Sequence, residues 1–150
     1  MANGGKEKLF IDASVLVAAT FSDTGASFFI FRLAEKGLVD ITITEEIVRE
    51  SRSSLARNYE QKIVFSMIKM LSRHKKSIKP DIDNYPSYKE LIEDKKDLHV
   101  LAGAKEYEAD FLITLDRKHF MTEKLAKANL PFEIILPGDY LKILRKKIDV

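Results

Sequence analysis

A chain of 150 residues with 45% hydrophobic residues, 32% charged residues, 6 Gly and 4 Pro has the size and composition of one folded domain, which excludes the disordered and fibrous classes. Formal net charge is only +2 and Cys is absent, so disulfides, thiolate metal ligands and thiol nucleophiles are excluded together, and any metal must be held by oxygen or by the three His. No apolar run approaches the roughly 20 residues of a membrane helix, and the start, MANGGKEK, lacks the apolar stretch of a secretory signal; a cytoplasmic protein without membrane contact is expected.

Residues 1–7 read as a flexible terminus of a single domain spanning 1–150. A strand at about 8–12 leads through the corner Asp12-Ala13-Ser14 into a short apolar helix at 14–19. Ser22 to Gly25 is a loop. An amphipathic helix follows over 26–36, with Gly37 as a left-handed stop. Val39 to Thr42 alternates as a second strand, and Thr44 is placed to cap a helix that carries Glu45 and Glu46 in its first turn and runs to about Asn58. Ile63, Met67, Met70 and Leu71 mark a helix over about 60–74.

The stretch 77–86, with Pro80 and Pro86, predicts a loop, and 87–92 a short helix. A helix at about 96–108, a strand at 111–114, a helix around 122–128, a strand at 132–136 and a helix opening at Pro137-Gly138-Asp139 complete the chain. Strands alternating with helices imply βαβ units and a mainly parallel sheet covered on both faces.

Two apolar runs, Leu9-Phe10-Ile11 and Phe111-Leu112-Ile113, each run on toward an acid, Asp12 and Asp116. In open α/β sheets, ligands sit beyond the carboxyl ends of the strands, where both would lie. Helical spacing of four and then three places Asp97 with Leu101 and Ala104 on an inward stripe, and Glu50 with Ile47 and Ser54, with Glu46 one turn earlier. Two carboxylates about 4 Å apart repel by roughly 4 kcal/mol at an effective dielectric near 20. Such a cluster therefore requires protonation or a cation. Hard oxygen donors without Cys or a paired-His motif favour Mg²⁺ or Mn²⁺, and the expected chemistry is phosphodiester hydrolysis.

The stretches LFIDASVLVAA, ITITEEIVRES and KKDLHVLAGAKEYEADFLITLDRKHF resemble, in order and spacing from about Leu9 to Leu144, the PIN-domain ribonucleases, especially the toxin halves of prokaryotic toxin-antitoxin pairs. The resemblance implies a three-layer α/β/α domain with a central, mainly parallel sheet of about five strands. It implies that Asp12, Glu50, Asp97 and Asp116 form the catalytic acidic site holding Mg²⁺ or Mn²⁺. Glu50 fits the family pattern better than Glu46, although spacing alone tolerates either. Ser14 matches a small polar position that orients Asp12 or contacts a metal-bound water. Thr114 is a supporting residue near the metals, Asp94 is an alternative acid, and Arg117, Lys118 and His119 are placed to hold the substrate backbone.

The expected substrate is single-stranded or structured RNA, the expected partners a small antitoxin and a second copy in a homodimer. His99 is expected on the solvent side of its helix, and His74 in a basic surface run. No phosphate-binding G-x-x-x-x-G-K-[ST], no G-x-G-x-x-G and no serine elbow are present. The competing function is a catalytically silent module of the same fold that binds nucleic acid or protein.

Overall fold

The computed structural model describes residues 5–58, 60–71, 73–74 and 79–148. Four strands, β1 (Glu7–Ile11), β2 (Val39–Thr42), β3 (Phe111–Ile113) and β4 (Glu133–Ile135), form one sheet in the order β2-β1-β3-β4, every pair parallel. Leu9, Phe10, Ile11, Leu112 and Ile113 are all fully buried, as central strands covered on both faces must be. Each such side chain contributes about 1.5–3 kcal/mol of transfer free energy. The three-layer α/β/α arrangement agrees with the expectation, but there are four strands among the described residues rather than about five. The segments left over are interrupted by Pro80, Pro86 and Pro131, which lack the backbone donor a ladder needs.

Helix α1 (Ala13–Phe21) starts directly after β1, and α2 (Ala26–Glu35) packs on it. The chain leaves α2 through Gly37, whose φ of +75° bears out the left-handed stop. Thr44 accepts a hydrogen bond from the Ile47 amide at 3.2 Å and so caps α3 (Glu45–Asn58). Helix α4 (Gln61–Leu71) packs on α1 and α3; the side chains of Met67 and Leu71 lie outside the described residues, as do Lys75 and Lys76 of the basic run. His74 is half-buried, edge-on to the Phe31 ring at 5.8 Å, rather than a surface cation.

Short 3-10 turns at Ile82–Asn84 and Lys95–Asp97 flank α5 (Pro86–Lys89). Helix α6 (Leu98–Glu106) therefore begins two residues later than its periodicity suggests. Its Gly103 lies on the Phe10 ring, so close that a Cβ there would sit 2.5 Å from Phe10 Cζ. Beyond β3 come two single-turn helices, α7 (Arg117–Phe120) and α8 (Glu123–Ala126), then β4 and α9 (Pro137–Ile148). No single helix among the described residues is long and apolar enough to cross a membrane.

Asp110 ties the entry ends of β1 and β3. Its carboxylate accepts from the Lys8 amide at 2.8 Å, and its own amide donates to Lys8 O at 2.8 Å. At the opposite end, the Asp12 amide donates to Ile113 O at 3.1 Å. Strand β1 leads by way of α1 and α2 to β2 on one side, while β3 lies on the other. The carboxyl ends of β1 and β3 therefore flank the topological switch point of the sheet, the place where α/β folds bind ligands.

Candidate active site

Asp12 is 6% exposed and receives three hydrogen bonds. The Ala13 amide donates to Oδ1 at 2.8 Å, while Ser14 Oγ and Thr114 Oγ1 donate to Oδ2 at 2.9 and 2.8 Å. Both hydroxyls accept in turn from the β3 exit, Ser14 from the Leu115 amide and Thr114 from the Asp116 amide, each at 3.0 Å. Ser14 and Thr114 thus lock two segments a hundred residues apart around one carboxylate. Burial raises the Asp12 carboxyl above its ordinary range; the three donors act against that rise, and the charge of Asp116 adds to it.

Asp116 caps α7. Its Oδ1 accepts from the His119 amide at 3.1 Å, and its Oδ2 lies 2.6 Å from His119 Nδ1. The same ring nitrogen is 4.0 Å from Asp97 Oδ2. Asp97 sits where the 3-10 turn passes into α6, its side chain 18% exposed and its Oδ2 buried without a hydrogen-bond partner. Asp97 is pushed up to about 6, by burial first; His119 pulls it back, and the charges of Asp94, Asp116 and Asp12 add to the rise. The hydrogen bond to Asp116 raises His119, against a smaller opposing effect of its burial.

The remaining sequence candidates fall around this centre. Glu50 is paired with His99, Nε2 to Oε1 at 2.8 Å, and His99 is only 15% exposed, so it faces inward rather than solvent. This correction follows from the 3-10 turn, which rotates α6 relative to a continuous α-helix from Lys96. Glu46 is held by Arg49 at 2.6 Å, half-exposed on α3. Asp94 is an exposed cap whose Oδ1 accepts from the Lys96 amide at 3.0 Å. Arg117 and Lys118 are exposed, whereas His119 turns back to the acids. The contacts of His119 to Asp116 and of His99 to Glu50 are the two features the sequence did not reveal. The i, i+3 spacing of Asp116 and His119 was the available signal for the first.

Among the described residues, no group of three or more His, Cys, Asp or Glu side chains is gathered closely enough to hold a metal ion as it stands. The donor chemistry nevertheless fits a hard divalent cation: the carboxylates of Asp12, Asp97 and Asp116 are electrostatically coupled, and one buried oxygen of Asp97 lacks a hydrogen-bond partner.

No curated protein matches the chain. Among solved structures, a chain in the crystal structure of VapBC2 from Rickettsia felis bound to a DNA fragment from their promoter superimposes with a TM-score of 0.61 at 14% identity, covering 86% of this chain and 98% of that one. At that identity the likeness speaks to the fold alone. The family model described as PIN domain matches residues 8–118, a stretch that runs from β1 through both strand-end aspartates and Asp97, and the chain accordingly belongs to the PIN-domain family.

Proposed function

We propose that the protein is a metal-dependent endoribonuclease. PIN domains are generally nucleases, and the observation that carries the reading is the electrostatic coupling of Asp12, Asp97 and Asp116 at the switch point, with Asp97 Oδ2 buried and lacking a hydrogen-bond partner. Asp12, Asp97 and Asp116 would hold Mg²⁺ or Mn²⁺, with Glu50 as the fourth acid at the margin. Such an ion, when bound, supplies an activated water and stabilises charge on the phosphate and the leaving oxygen.

The chain's own residues do the positioning. Ser14 and Thr114 fix the Asp12 carboxylate so that no rotamer search is needed when a substrate arrives. Asp97, with its high proton affinity, is the acid that must give up a proton before the site carries its full negative charge. His119 partly neutralises Asp116 and Asp97, and Arg117 and Lys118 beside it are placed for the phosphate backbone. His99 holds Glu50 against α6, two residues from Asp97.

Single-stranded or looped RNA suits an open acidic groove better than a stiff duplex. Within cells the protein would act in the cytoplasm as the toxin of a toxin-antitoxin pair, restrained by a small antitoxin over the groove and assembled as a homodimer. This context rests on the resemblance of the sequence to the toxin halves of such pairs, and the likeness to VapBC2 adds the shared fold.

The test is cleavage of end-labelled single-stranded RNA with Mg²⁺, Mn²⁺ or EDTA, with Asp12→Asn carried through the same purification. Metal-dependent cutting by the wild type that falls to background in the variant is expected. Equal cutting by both would sink the proposal. No cutting with any metal, while RNA is still bound, would favour the silent binding module instead.

A further inference from the structure

A cleft of about 700 Å³ opens beside Glu50, and the chemistry above does not use it. One wall is the start of α3, from Thr44 to Glu50; the other is the segment 79–82 with the 3-10 turn that leads into α6. The second wall presents Lys79, Lys95 and Lys96, all exposed and in no ion pair among the described residues, together with Pro80 and the 41% exposed Ile82. On the first wall Arg49 already offsets Glu46 at 2.6 Å, and Glu50 is taken up by His99 at 2.8 Å.

Charge therefore divides across the cleft. A polyanion is drawn to the lysine wall, where the cations have no ion pair among the described residues, rather than to the α3 wall, where Glu46 and Glu50 already face Arg49 and His99. The position is equally specific. The His99–Glu50 pair lines the cleft; Asp12, Asp97 and Asp116 lie outside its lining, but Asp97 is the residue that follows Lys96, so the lysines border the acids. A separate, smaller hollow of about 120 Å³ has Lys118, His119 and Lys124 in its lining together with Glu93, and His119 joins it to Asp116. Cations on both sides of a carboxylate centre suit a phosphodiester chain that crosses it. Apolar surface between them suits a base or ribose rather than an isolated phosphate.

We propose that this cleft holds the nucleotide adjoining the scissile phosphate of a single-stranded RNA, with Lys95 and Lys96 on its backbone and Pro80 and Ile82 against its base or ribose. The assignment rests on the ribonuclease reading, and its test separates the two. Binding of a fluorescein-labelled single-stranded oligoribonucleotide to Asp12→Asn protein, followed in Mg²⁺ buffer over a salt series, needs no turnover.

Replacing both Lys95 and Lys96 by Ala should weaken binding about tenfold and flatten the plot of log affinity against log salt by about 1.4, from roughly 0.7 per lost phosphate contact. Ile82→Ser should weaken binding severalfold and leave that slope unchanged. Lys105→Ala, at the far end of α6, should alter neither. Thermal unfolding confirms that each variant is folded. Unchanged affinity and slope in the double lysine variant, with RNA still cut by the wild type, overturns the cleft assignment and leaves the nuclease standing. RNA that is bound through the lysines and never cut overturns the nuclease alone, and a wild type that neither binds nor cuts overturns both.

Discussion

A carboxylate at 18% exposure, with one oxygen lacking a hydrogen-bond partner and three other acids acting on it, holds free energy that a neutral amide would not. The folded Asp97 has a pKa of about 6, against an ordinary value of 3.8. Its raised affinity for a proton stabilises the fold below the unfolded pKa, and that contribution is lost as pH rises through about 6. The raised His119 acts in the same direction, its contribution also lost as pH rises. Asp97→Asn should therefore stabilise the metal-free protein at pH 8 by about 1–2 kcal/mol, the residual solvent access reducing a nominal 1.36 kcal/mol per pKa unit. The gain should vanish near pH 4. Thermal unfolding in EDTA at both pH values, beside the RNA assay in which the same variant should be inactive, checks this trade of activity for stability. At this scale the strand-end acids were legible because an apolar run ending on Asp has few structural uses. The partners of His119 and His99 were not, since they depend on how α6 is rotated after its 3-10 turn.

Helix α6 carries Asp97 toward Asp12 only because Gly103 lets it lie against the fully buried Phe10 ring. A Cβ at 103 would meet Phe10 Cζ at 2.5 Å, and that ring is itself fully buried in the core. Gly103→Ala should cost about 1–3 kcal/mol, the usual penalty of overpacking, despite the better helix propensity of Ala. It should also lower RNA cleavage by shifting Asp97. Urea unfolding and the cleavage assay measure the two effects, and a stabilised, fully active variant would contradict the packing argument. The strands at 8–12, 39–42, 111–114 and 132–136 could be read individually from hydrophobic runs, and these are the four observed. The figure of about five came from family resemblance rather than from any fifth run in the sequence. Helix α7 escaped notice because one turn, Arg117–Phe120, is too short to show a helical period.

Across the whole molecule, the acids come from β1, α6 and the exit of β3, and their repulsion acts across elements held by one core. A divalent ion that relieves this repulsion should bind the folded chain alone. Mn²⁺ or Mg²⁺ at about a hundred times its dissociation constant would add about 2.7 kcal/mol, a rise of roughly 5–10 °C in Tm. Asp12→Asn should lose most of that rise, and an equal rise in both proteins would place the ion elsewhere. The parallel sheet and its switch point were legible from the order of strands and helices. The β2-β1-β3-β4 order itself was not, because nothing local to β1 states which strands will flank it. Asp12 and Thr114 stand 102 residues apart in the chain, so a break at the segment 79–80 would leave Asp12 on one piece and both Asp97 and Asp116 on the other. On the ribonuclease reading neither piece alone is an enzyme, and cutting regained on mixing would report their reunion. On the same reading, a ribosome partway through the message holds a chain without a complete site until β3 has docked.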